Sequence, residues 1–197
     1  MDKFIQPVLY RHRLVDRESF SRRDFYVSFM QILTAAALIL LILTFIFCPI
    51  RIQQTSMLPN YRNNQYVFYF STRDVKAGDV VILYNEEKLE NNIIKRIIAT
   101  EGQTVSIKNG ADGYAHVYVN GDLCDESYIN GKMYAVSGEY RITLKENEIF
   151  VLGDNRNVSK DSRAYGPFKI TDIKGKVIWK TPFYYREKGI FRIGIGE

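Results

Sequence analysis

Hydrophobic and polar residues follow two different rhythms along this chain. From Phe25 to Ile50 no residue is charged, and within Ile32–Cys48 only Thr34 and Thr44 are polar. Roughly twenty such residues, at about 1.5 Å each, span the hydrocarbon core of a bilayer. A buried helix of a soluble protein would carry a polar stripe, and none is present. A cleavable leader is a poor fit: the run follows a long charged segment and has no small-x-small exit before Pro49. Phe47 is also too bulky to precede a lipoprotein cleavage at Cys48. The pattern predicts an uncleaved transmembrane anchor over residues 25–50.

Beyond Ile50 the apolar runs become short or alternating. They predict strands at Tyr66–Phe70, Val80–Tyr84, Asn92–Ile98, Thr104–Lys108, His116–Val119, Tyr140–Leu144, Ile149–Leu152 and Lys176–Trp179. Turn chemistry separates many of them, as at Ala77-Gly78-Asp79, Lys108-Asn109-Gly110 and Asn120-Gly121-Asp122. The last of these has the look of a hairpin turn. The reading is one all-β domain over residues 51–197, a partly open β-barrel, with a less regular segment at about 110–138. No repeat and no second domain is visible.

Composition refines this picture at a few points. Tyr (14) and Phe (12) are abundant, which suits strands. The net charge of +5 and pI near 9.1 fit either nucleic acid or anionic lipid as a partner. The positions of the charges decide against nucleic acid. Lys3, Arg11, Arg13, Arg17, Arg22 and Arg23 precede the apolar run, whereas only Arg51 and Arg62 follow it closely. The positive-inside rule therefore predicts a cytoplasmic basic tail at residues 1–24 and an extracellular domain on a single-pass anchor in the cell membrane. Two cysteines, Cys48 and Cys124, are too few for a disulfide framework, and no Cys/His cluster has metal spacing. No metal and no cofactor is expected.

Three local patterns carry chemistry. Ser56-Met57-Leu58-Pro59 lies just past the apolar run, and a serine before Met and Pro is ordinarily a turn residue. Only five residues separate Ile50 from Ser56, a reach of roughly 20 Å, so a nucleophile here acts on something presented at the membrane surface. Met57 and Leu58 either face outward or begin the core. In Ile93-Ile94-Lys95-Arg96-Ile97-Ile98, strand periodicity puts Lys95 on a face with Ile93 and Ile97 and Arg96 on the other. Arginine stays protonated, but a desolvated lysine can lose its proton and serve a serine as base. An edge strand with both charges in water is the plainer alternative. Third, Gly153-Asp154-Asn155-Arg156-Asn157-Val158-Ser159-Lys160-Asp161-Ser162-Arg163 follows a clean strand. Asp161 and Arg163 can brace such a loop, and Ser159 can hold an amine in position. His12 is on the cytoplasmic side and His116 lacks a companion motif, so neither is a candidate base.

The order of anchor, Ser-Met-x-Pro, Lys-Arg and Gly-Asp-Asn-Arg-x-x-Ser-x-Asp-Ser-Arg-x-x-Gly resembles the type I signal peptidase family, and Gly78-Asp79-Val80-Val81 matches another of its boxes. The short length and single anchor are similar to the Gram-positive bacterial branch, some of whose members accompany pilus systems. The resemblance implies a membrane-anchored serine endopeptidase that removes signal peptides from exported preproteins. Ser56 would be the nucleophile and Lys95 the general base. Ser159 would orient the Lys95 amine, Asp161 and Arg163 would form a supporting ion pair, and Met57 is the candidate substrate contact. The Ser56 main-chain N–H and a second donor would hold the oxyanion. The implied partners are signal peptides, pilin precursors among them, and membrane lipid, with no nucleic acid. Departures are Gln54 where the family has Gly or Ser in the oxyanion hole, Asn60 for Thr, and Gln103 for Asp. Gln54 raises an alternative, an accessory that assists pilin or surface-protein assembly by binding rather than cleavage. A self-cleaving Ser/Lys repressor would need a DNA-binding domain, and the sequence has a membrane segment instead.

Overall fold

A computed structural model describes residues 22–187 and 190–194. The basic tail expected at 1–24, with His12, lies outside the described residues as far as residue 21.

Helix α1 covers Arg22–Ile46, and its composition explains it: Leu, Ile and Ala dominate, with no Gly or Pro. Apolar side chains are exposed on every side of it, among them Phe25, Ile32, Leu33, Leu38, Leu40 and Ile42. Thr34 donates its hydroxyl hydrogen to the Gln31 carbonyl at 2.9 Å, so this polar group is satisfied within the helix. Among the described residues this is one helix long and apolar enough to cross a membrane. The anchor expected over 25–50 is shortened, because Phe47–Arg51 forms strand β1. Pro49 explains the boundary: it has no N–H to continue a helix and disfavours helical geometry in the residue before it.

The rest of the chain is mostly β. Strand β1 pairs antiparallel with β2 (Tyr66–Phe70). There follow β3 (Val80–Leu83), β4 (Ile93–Ala99), β5 (Thr104–Asn109), β6 (Tyr114–Val119), β7 (Asp122–Leu123), β8 (Met133–Tyr134), β9 (Tyr140–Thr143) and β10 (Glu148–Leu152). A short helix α2 (Ser162–Tyr165) precedes β11 (Phe168–Lys169), β12 (Ile173–Lys180), β13 (Phe183–Glu187) and β14 (Ile190–Gly194). The larger sheet has the order β1-β2-β12-β3-β4-β10-β11, and the second has the order β7-β6-β5-β9 with β8 also paired to β6. Strands β13 and β14 form a hairpin of their own. The β6–β7 turn is the one expected at Asn120-Gly121, both with positive φ (54° and 94°), the requirement of a two-residue hairpin loop. The segment expected to be less regular, 110–138, contains β6, which pairs with β5 at the heart of the second sheet.

Burial explains the sequence rhythms. In β5 and β6 buried Val105, Ile107, Ala115 and Val117 alternate with less buried residues, so each strand has one face in the core. Strand β10 instead reads as a continuous apolar run because both its faces are covered. Phe150 and Leu152 join Ile98, Ala99, Val105 and Val117 on one side, while Ile149 and Val151 join Val81, Leu83, Ile97 and Phe168 on the other. Phe150 is fully buried against Tyr140, with ring centroids 5.7 Å apart. Replacing it with alanine is predicted to cost about 3–5 kcal/mol. A denaturant titration of the detergent-solubilised protein checks this; a loss below about 1 kcal/mol would show that β10 is not the shared layer of two cores.

Candidate active site

The alternation predicted for β4 places its lysine as expected. Ile93 and Ile97, on the Lys95 face, pack with Val81, Leu83, Ile149 and Val151. Val81 of β3 stands opposite Lys95 in register. Lys95 is only 1% exposed, so the plainer reading of an edge strand with its amine in water is set aside. Burial pulls its pKa from the ordinary 10.5 down to about 8, while Asp161 and Asp154 oppose that fall. The amine has two partners: it donates to Ser56 Oγ at 2.7 Å and to the Ile94 carbonyl at 3.0 Å.

Ser56 reaches this amine from a loop closed at its base by Ile52 and Gln65, where the Ile52 N–H donates to the Gln65 carbonyl at 2.9 Å. Its far side turns back through Leu58 N–H to the Thr55 carbonyl and Tyr61 N–H to the Met57 carbonyl. Met57 anchors the loop. It is fully buried with Ile52, Val67, Val80, Ile82 and Ile94, which corrects the expectation of a substrate contact. An apolar side chain beside these strands gains more from the core than from an open cleft. Ser56 opens into a cleft of about 440 Å³ lined by Gln53, Gln54, Ile93, Val158, Lys160 and Tyr165. An adjoining cleft shares Gln53, Gln54 and Ile93 and is walled by Ile52, Ile82 and Ile94. The Gln54 side chain is exposed, and the Ser56 N–H donates to no group among the described residues.

The loop after β10 locks against the serine. Asn155 N–H donates to the Ser56 carbonyl at 2.9 Å, and its side-chain amide donates to the Thr55 carbonyl at 3.2 Å. Gly153 is required by close approach: a Cβ there would lie 2.5 Å from the Ser56 carbonyl oxygen. Asp161 and Arg163 form the expected ion pair, with guanidinium Nε and Nη2 each 2.8 Å from a carboxylate oxygen. Asp161 also accepts the Gly153 N–H at 3.0 Å. Ser159 differs from expectation. Its hydroxyl is buried against Gly153 without a hydrogen-bond partner, and it makes no bond to Lys95. The Val158 and Ser159 N–H groups both fold onto the Asn155 carbonyl at 3.1 Å, which sets the backbone of this turn.

Several supporting groups carried no role in the sequence reading. Arg96, on the opposite face from Lys95, grips Asp154 through Nε (2.8 Å) and Nη2 (2.7 Å) and stacks 4.2 Å from the centre of the Tyr128 ring. Asn60 donates to Asp154 (2.8 Å) and to the Tyr128 carbonyl (2.6 Å). Arg156 pairs with Glu126 and donates to the Gly153 carbonyl at 3.1 Å. The only signal for Asp154 and Arg96 is their place in the boxes that carry the family resemblance, and for Asn60 its departure from them. Among the described residues no cluster of His, Cys, Asp or Glu is arranged to hold a metal ion, and Cys124 is a free thiol.

A mostly β protein with a serine hydroxyl bonded to a buried amine at an open cleft has the constituents of a serine hydrolase that works without histidine. Comparison with known proteins supplies the family. The profile described as "Signal peptidase, peptidase S26" matches residues 26–181, and the chain belongs to that family of serine peptidases. It is 33% identical to Signal peptidase I P of Bacillus subtilis subsp. natto, over 82% of this chain and 91% of the relative. It is 35% identical to Signal peptidase I S of Bacillus subtilis strain 168, over 73% and 82% of the two chains. Signal peptidase IB of Staphylococcus aureus is 30% identical over 77% and 86%.

The buried amine carries a stability cost with a definite sign. Its folded value, about 8, lies below the ordinary 10.5, so stability is full above pH 10.5 and is lost as pH falls toward 8. Lys95→Met is therefore predicted to raise stability by about 1–3 kcal/mol at pH 6, with the gain shrinking as pH rises through 8 to 10.5. Denaturant midpoints at pH 6 and pH 10 measure it; a loss at pH 6 would show that the amine is well solvated.

Proposed function

We propose that this chain removes signal peptides from exported preproteins with Ser56 as nucleophile and Lys95 as general base. The single observation that carries this assignment is the 2.7 Å contact between the Ser56 hydroxyl and an amine held near pH 8 by burial. In the proposed reaction Lys95, as neutral amine, takes the Ser56 proton while Oγ adds to the scissile carbonyl. The proton then passes to the leaving amine, the mature protein departs, and an acyl ester remains on Ser56. Water, deprotonated by the same amine, hydrolyses that ester and releases the signal peptide.

The oxyanion is assigned to the Ser56 main-chain N–H, which is free among the described residues, with the Gln54 side-chain amide as second donor. The adjoining cleft sets Ile52, Ile82 and Ile93 beside Gln53, Gln54 and Asn92, and its isoleucine wall suits small apolar residues preceding the cut. Ser159 is retained as a proposed positioning residue for the amine on the family resemblance, its buried hydroxyl being unbonded here and so free to turn to that role. Asp161 and Arg163 brace the loop. Helix α1 is assigned to lipid, with the basic tail in the cytoplasm and the β domain outside, on the charge asymmetry around the apolar run. Pilin precursors belong among the proposed substrates as exported preproteins. The accessory alternative is not favoured: the relatives above are all named signal peptidases, and the Ser56–Lys95 pair is intact.

The test is cleavage of a model preprotein by the full chain in detergent or lipid. Ser56→Ala, Lys95→Ala and Lys95→Arg should each lose at least about 10³-fold in kcat/KM, arginine failing because it never deprotonates. In the wild type, kcat/KM should rise about tenfold per pH unit up to about 8 and then level, because only the neutral amine accepts the serine proton. An active Lys95→Ala, or a profile flat from pH 6 to 9, would contradict the assignment.

A further inference from the structure

The loop that carries Val158, Ser159 and Lys160 reaches the cleft beside Ser56, with Val158 and Lys160 among its lining. Asn157, Val158 and Lys160 are exposed, Val158 by 63%. The loop's two ends are firmly tied, at Asn155 to the serine loop and at Asp161 to Gly153 and Arg163. Between them, Arg163 Nη2 donates to the Arg156 carbonyl at 2.7 Å and the Ser159 carbonyl at 3.4 Å, and the Asn157 side chain ties the loop to the second sheet. Asn157 Oδ1 accepts the Tyr134 N–H and Asn157 Nδ2 donates to the Lys132 carbonyl, both at 2.9 Å.

These two backbone groups flank Met133 in β8. Residues two apart in a strand turn their peptide groups to the same edge, so Lys132 and Tyr134 offer one acceptor and one donor side by side. A primary amide has one donor and one acceptor at matching spacing. Asn157 thus acts as a single-residue strand on the edge of β8, opposite its pairing with Ala115 and Tyr114 of β6. The same stretch of chain grips the loop elsewhere, through the Asn130 N–H on the Asp154 carbonyl and Met133 sulfur against Arg163.

We propose that Asn157 is a positioning residue: its amide pairing with β8 fixes the Val158–Lys160 apex as a wall of the substrate cleft. The second sheet thereby sets the width of the cleft, although Ser56 and Lys95 are held by other elements. The inference rests on the peptidase reading. Loss of the tether frees the wall without touching the serine or the amine, so it weakens substrate binding and spares the chemical step.

The experiment uses the full chain in detergent with one model preprotein, comparing wild type, Asn157→Ala and Asn157→Asp. Aspartate nearly matches the shape of asparagine and keeps the acceptor for Tyr134, but it turns an oxygen toward the Lys132 carbonyl in place of a donor. Both variants should raise KM about 3–10-fold with kcat within about twofold and an unchanged pH profile. Exchange of the Tyr134 amide hydrogen should quicken about tenfold in Asn157→Ala and less in Asn157→Asp, which keeps its acceptor, with the thermal midpoint nearly constant because Asn157 is exposed. A wild-type KM in either variant overturns the proposal. So does a fall in kcat that tracks a lowered thermal midpoint, which is the mark of a merely structural role. An inert wild type would instead defeat the peptidase reading itself.

Discussion

The structure depends on keeping one amine out of water. Moving the Lys95 pKa from 10.5 to about 8 corresponds to about 3 kcal/mol of penalty on its charged form. For a protein of ordinary stability this is a large fraction of the whole. The surroundings sustain it by packing rather than by charge. Val81, Ile97, Ile149 and Val151 form an apolar bed around β4, and β10 lies buried on both faces beside it. A lysine in such a bed is a poor structural choice and a suitable base.

Carboxylates near such an amine would undo the effect if left unpaired, because each favours the ammonium. Asp161 and Asp154 are both fully buried and both push the amine upward. Each is matched by an arginine in two-point contact, Arg163 for Asp161 and Arg96 for Asp154. These pairs brace the loop after β10 and at the same time limit the field at Lys95. The loop then closes on the serine through Asn155, while Gly153 admits the Ser56 carbonyl at a distance no side chain would allow. Position and electrostatics are set by the same few residues.

Much of this was legible in the sequence because it rests on local rules. Short apolar and alternating runs located most strands to within a residue or two, and period-two alternation placed Lys95 and Arg96 on opposite faces. Asn120-Gly121 fixed its hairpin through backbone preference alone. What escaped depends on contacts distant in sequence. Met57 reads equally as an outward-facing or a core residue from its neighbours in the chain, and residues from β2 to β4 decide it by enclosing the side chain. Strands β7 and β8 are two residues long, too short to show a period. The Arg96–Asp154 pair joins positions far apart in the chain, and the backbone at Ser159 follows a turn onto Asn155 that composition does not encode. The end of α1 was misjudged because apolarity continues past Pro49, where helical geometry does not.

The central claim is that the Lys95 amine sits dehydrated beside the serine. The most direct measurement is an NMR titration of the lysine side chains in the full-length protein, labelled at Cε and solubilised in micelles, with the Lys95 signal assigned by its loss in Lys95→Ala. The Lys95 resonance is predicted to titrate near pH 8. A Lys95 signal that titrates near the ordinary 10.5 would contradict a dehydrated amine.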